Sequence, residues 1–113
     1  MSEPATVICT FRVKSGCEEE FTRLLERHWP TLRDLGLATD DPPQHFRGGE
    51  QRSGEPIFFH IFDWASEESA GIAHEHPEVM AIWEPMDGLC EDRGGKPGMD
   101  FPHVRRLRLR GET

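Results

Sequence analysis

Two histidines, His74 and His76, stand two residues apart in the segment AHEHPEVMAIWEPM (residues 73–86), among three acids, a tryptophan and two prolines. Imidazole is the side chain whose proton affinity lies nearest neutral pH, so a histidine facing a pocket serves as a general base or as a hydrogen-bonding group. On one continuous helix the two rings would diverge by roughly 200°. An irregular passage before Pro77 would bring both toward one cavity. His74 is therefore the first candidate for a catalytic base, and Trp64 and Trp83 are the candidate walls of an aromatic pocket. His28, His60 and His76 complete the substrate-binding candidates. Each has an ordinary structural reading as well: a histidine at a helix end caps backbone groups, a histidine inside a strand is a satisfied core residue, and tryptophans fill cores and interfaces.

Other chemistries lack their spacing. His74, His76 and Glu84 supply nitrogen and oxygen donors, but the H-E-x-x-H arrangement and paired cysteine motifs are missing, so no metal site is expected. Gly48-Gly49 and Gly94-Gly95 are isolated pairs without dinucleotide or phosphate-loop spacing, and no cofactor is implied.

The elements that must position these residues follow from periodicity. Residues 6–13 (TVICTFRV) alternate as a half-buried strand. A helix beginning near Cys17 carries Glu18, Glu19 and Glu20 in its first turn, and turns Phe21, Leu24, Leu25, His28, Leu32 and Leu35 inward. Pro30 should kink or restart it, and Gly36 should end it. Residues 44–52 form a weaker strand, and Ser53-Gly54-Glu55-Pro56 connects it to residues 57–64 (IFFHIFDW), which read as a central strand apolar on both faces. Ser66 can cap a second helix, Pro77 can open a further one with a Val79, Ile82, Trp83 and Met86 stripe, and residues 101–110 alternate as an edge strand. The order is β-α-β-β-α-β, a ferredoxin-like α+β domain with an antiparallel sheet. Two helices cover one sheet face only, so a second copy of the chain is expected to cover the other.

Composition bounds the rest. A chain of 113 residues fits a single domain over 1–113. Thirteen Lys and Arg against 21 Asp and Glu give a net charge of -8, which opposes nucleic-acid binding. No apolar run is long enough to cross a membrane, and the three cysteines are odd in number and widely spaced, so a membrane role is not expected and the expected location is the reducing cytoplasm.

The segment FDWASEESAGIAH (residues 62–74) resembles the signature of the dimeric α/β barrel proteins of the antibiotic biosynthesis monooxygenase type: Asp63 and Trp64 end a strand, Ser66, Glu67 and Glu68 form a polar cap, and a helix leads to His74. The opening strand, the Gly16 turn and the glutamate-rich first helix resemble the same superfamily. His76-Pro77 and residues 82–86 (IWEPM) set the chain apart as an uncharacterised branch, and the sequence has no tyrosine to steady a phenol. The resemblance implies a homodimeric dimeric α/β barrel acting as a cofactor-independent monooxygenase on a small aromatic or polyketide-like molecule. In that chemistry His74 would deprotonate the substrate for reaction with dioxygen. The alternatives are a non-catalytic dimeric module that binds a small ligand or serves a structural role, and, through the same superfamily, a haem-binding or haem-degrading protein.

Overall fold

A computed structural model describes residues 3–111. Strand β1 (Ala5–Arg12) leads to helix α1 (Glu18–Asp34), a hairpin of β2 (Gln44–Gly49) and β3 (Pro56–Trp64), helices α2 (Ser69–His74) and α3 (Pro77–Leu89), and two short strands, β4 (Met99–Asp100) and β5 (His103–Val104). The sheet is antiparallel in the order β2-β3-β1-β4, with β5 pairing further along β1.

Alternation along β3 fixes which side meets the helices. Phe58, His60, Phe62 and Trp64 are buried, whereas Ile57, Phe59, Ile61 and Asp63 are half-buried on the other face. The β1 register sets Val7 opposite Phe62, Cys9 opposite His60 and Phe11 opposite Phe58, so one apolar surface runs across both central strands. From α1, Phe21 packs between Phe11 and Phe58, at ring-centroid distances of 4.8 and 5.1 Å. Leu25, His28 and Leu32 continue that inward stripe at helical spacing.

Helix α1 continues through Pro30 as one element, so of the two outcomes expected there the restart does not occur. Gly36 adopts φ 76° just past the helix end, where the amide of Leu37 reaches the Leu32 carbonyl. The second helical region divides. Pro77 takes the first turn of α3, so α2 stops at His74, with His76 extended between the two helices.

The ferredoxin-like β-α-β-β-α-β unit closing into a dimeric α/β barrel is corrected by this architecture. The chain runs β-α-β-β-α-α-β-β, and its sheet does not close into a barrel. Two prolines account for the changed order. Pro77 splits the helical region; Met99 and Asp100, which precede the predicted last strand, pair with β1, and Pro102, which has no amide to donate, separates them from His103–Val104, the part of residues 101–110 that joins the sheet. Beyond Val104 the alternating arginine and leucine segment joins no strand.

Arg93, in the loop after α3, fastens the far end of the fold. Its guanidinium donates to the Val13 and Pro56 carbonyls and pairs with Glu50, Glu55 and Glu91. Its side chain is only 9% exposed, so one planar donor group ties the β2–β3 hairpin and the end of β1 to the loop leaving α3.

Candidate functional site

His60 lies mid-way along β3 on the helix-facing side, and His28 meets it from α1, the two Nδ1 atoms 2.9 Å apart. From α3 the indole Nε1 of Trp83 donates to His28 Nε2 at 2.8 Å. Indole nitrogen can only donate, so His28 Nε2 must be the acceptor and, in a neutral ring, Nδ1 carries the proton. His28 Nδ1 then donates to His60 Nδ1, and the proton of His60 resides on Nε2. That Nε2 is buried and has no hydrogen-bond partner among the described residues.

Charge is excluded from this pair. Burial, reinforced by His45, pushes His28 down to about 3. Burial, then His28, then His45, pushes His60 down to about 2. His45 on β2 stacks over His60 at a 4.5 Å centroid distance and 19° between planes, and its own proton affinity is lowered by partial burial. At neutral pH the three rings form an uncharged polar thread from the edge strand to α3.

Trp83 carries that thread to a surface groove of about 450 Å³, lined by His74, Met80, Trp83, Glu84, Asp87 and Phe101, with Met99 beside them. The buried Trp83 forms its base. The Phe101 ring lies nearly parallel to the indole, at 6.2 Å and 22°, and the His74 ring meets the indole edge-on at 4.9 Å. The hydrogen bond to His28 fixes the indole's orientation from behind, which presents a rigid aromatic surface to the groove.

The structure therefore joins four of the six predicted site residues: His74 and Trp83 at the groove, and His28 and His60 beneath it. Trp64 stands behind, edge-on to Trp83 at 6.5 Å, and its indole nitrogen has no partner among the described residues. His76 precedes α3 as its N-cap residue and does not line the groove. Its backbone carbonyl receives the Val79 and Met80 amides, while its Nδ1 is buried without a partner among the described residues. Sequence reasoning missed Phe101 and His45. Pairing the strands of the β2–β3 hairpin sets His45 opposite His60, and that register was the available signal.

Two other clefts, of about 420 and 550 Å³, flank the chain around Val104. Arg105 and Arg106 line both, with Asp41 and Asp63 in one and Glu3 and Glu67 in the other. Neither sets an aromatic surface against convergent polar groups as the groove over Trp83 does. Among the described residues no group of three His, Cys, Asp or Glu is placed to hold a metal ion, and the three cysteines are free. No described helix is long and apolar enough to cross a membrane.

No known family model and no curated protein sequence matches the chain. Solved structures do match it, among them the following two. A NIPSNAP family protein from Agrobacterium tumefaciens str. C58 superposes with a TM-score of 0.62 at 14% identity, covering 95% of this chain and 89% of that one. A conserved protein from Methanosarcina mazei Go1 gives a TM-score of 0.60 at 15% identity, covering 94% and 95%. The likeness establishes the fold. It also corrects the resemblance to the antibiotic biosynthesis monooxygenases: neither of these two structures bears that description, and the open sheet lacks the barrel that description requires. The cofactor-independent monooxygenase reading rested on that resemblance and falls with it. The local string from Asp63 to His74 misled because a strand-end acid and tryptophan, a polar cap and a helix are a packing solution open to unrelated sheets.

Proposed function

We propose that this chain is a single-domain, non-catalytic module that binds a small molecule with an apolar, aromatic body in the groove over Trp83, and that it works as a homodimer. The observation that carries the reading is the groove itself, whose volume of about 450 Å³ lies within the usual range for ligand sites. Trp83, held from behind by His28, supplies a flat contact surface, and Phe101 extends it. His74 stands at the rim as a hydrogen-bonding wall for the ligand.

The homodimer is supported by the sheet face that the helices leave open. Register places Ile8 beside Ile61 and Phe46 beside Phe59, while Phe46 is 52% and Val104 38% exposed. A second copy packed on this face would cover an apolar strip that otherwise meets water.

Thermal-shift screening of small aromatic compounds tests the binding reading. A compound at one hundred times its Kd should stabilise the fold by about 2.7 kcal/mol. The gain should shrink when Trp83 is replaced by Ala relative to that variant's own unliganded baseline. A panel that stabilises the wild-type chain and the variant equally would count against the groove.

A further inference from the structure

We propose that the ligand of this groove is an organic cation, an ammonium group attached to an aromatic or aliphatic body. This rests on the binding reading above and adds the charge that the groove selects. Glu84 and Asp87 stand one turn apart on the exposed side of α3, and both line the groove. The ion pairs of the described residues engage other acids, on α1, at the β2–β3 hairpin and after α3, and neither Glu84 nor Asp87 makes one. Lys14 donates its ammonium to the neighbouring Gly88 carbonyl at 3.1 Å and forms no ion pair with Asp87.

Their position on the helix is unfavourable to folding. The carbonyl end of a helix carries partial negative charge and favours a cation, yet the last turn of α3 contains no basic residue and these two acids lie within its final two turns. Helix dipole and carboxylates thus add up to a negative field at the mouth of an aromatic groove. The floor agrees with that field. Trp83 is only 7% exposed at the groove, but an aromatic ring attracts a cation at its face, and donating its N–H to His28 polarises the Trp83 ring in the favourable sense. The chain's net charge of -8 draws cations toward it from a distance. An anionic ligand would meet two carboxylates and a helix C-terminus, and a neutral one would leave both carboxylates without use.

Calorimetric titration of the full chain with three phenylethyl probes that differ in head group tests this: 2-phenylethylamine, 2-phenylethanol and 3-phenylpropanoate, at low and at 0.5 M salt. The amine should bind about five- to tenfold more tightly than the alcohol, as two partly exposed carboxylates and a cation–π contact allow, and the carboxylate should bind weakest. High salt should narrow the gap by lowering amine affinity. In the Glu84→Gln/Asp87→Asn variant the amine should lose most of its advantage, keeping at most the part that Trp83 and the helix end supply, while the alcohol keeps its affinity. Equal affinity for amine and alcohol in the wild-type chain overturns the cation inference and leaves the groove reading standing. An amine preference that survives undiminished in the double variant also overturns it. Failure of all three probes to bind removes the groove reading together with this one.

Discussion

His28 and His60 share one hydrogen bond between their Nδ1 atoms at 2.9 Å, and the indole of Trp83 decides which ring gives the proton. Because the indole occupies His28 Nε2 as a donor, each neutral ring has one tautomer that satisfies the pair. Nitrogen-detected NMR should find His28 protonated at Nδ1 and His60 at Nε2 at pH 7. The reverse assignment for either ring would mean that the bond from Trp83 is not formed in solution.

The same pair sets a pH dependence. An exposed histidine takes up a proton near 6.5, whereas burial holds folded His28 near 3 and folded His60 near 2. Below about 6.5 the unfolded chain therefore binds more protons than the folded one, so unfolding free energy falls as pH falls. Stability should be flat in this respect above pH 7 and decline continuously from about pH 6.5 toward pH 3, with proton uptake on unfolding approaching two. Replacing His60 with Phe should reduce that slope. Denaturant titrations across this range measure it, and an equal slope in the variant would contradict the assignment.

Arg93 should be the most costly charged residue to remove from the far end of the fold. Arg93→Ala abandons the carbonyls of Val13 and Pro56 and separates three glutamates from their shared cation. A loss of about 2–4 kcal/mol is expected, and Arg93→Lys should recover only part of it, because an ammonium cannot span five acceptors in a plane. Urea unfolding midpoints give the comparison.

The open sheet face predicts the assembly state. Light scattering at micromolar concentration should return twice the 12.9 kDa chain mass, with at least about 1,200 Å² buried in total. Phe46→Glu places a charge in the middle of the apolar strip and should shift the chain toward monomer without unfolding it, since Phe46 is exposed in the single subunit. A monomeric mass for the wild-type chain at that concentration would remove the dimer.

Much of this frame was legible in the sequence because it rests on local periodicity. The alternation of residues 57–64 placed Phe58, His60, Phe62 and Trp64 on one face, and the spacing from Phe21 to Leu32 marked the inward side of α1. Effects of long range were not legible. Nothing local says that Trp83 and His28, 55 residues apart, meet through a hydrogen bond, or that residues 105–110, alternating as a strand does, leave the sheet after Val104. Prolines were visible but ambiguous. Pro30 lies in an unbroken helix, whereas Pro77 separates two, a choice that depends on what packs around each. The site was half legible for the same reason. Residue types pointed to His74 and Trp83, while His45 and Phe101 reach the ensemble only through strand pairing and tertiary packing.

His74 and Trp83 separate binding from folding, because they touch each other and differ in burial. The His74 side chain is exposed and meets the indole only by its edge, so His74→Ala should leave the thermal midpoint within a few degrees while weakening a groove ligand several-fold. Trp83→Phe keeps a ring in the core but deletes the N–H, leaving the buried His28 Nε2 without its donor. That change should cost about 1–3 kcal/mol even though most of the aromatic volume remains. It should also release the tautomer preference of His28, which the NMR experiment would register as a mixed population. Stability equal to wild type in Trp83→Phe, with His28 still protonated only at Nδ1, would show that the indole fills space without steering the histidine pair. If His74→Ala instead unfolds the chain, that ring holds α2 against α3, and its place at the groove is a consequence of packing.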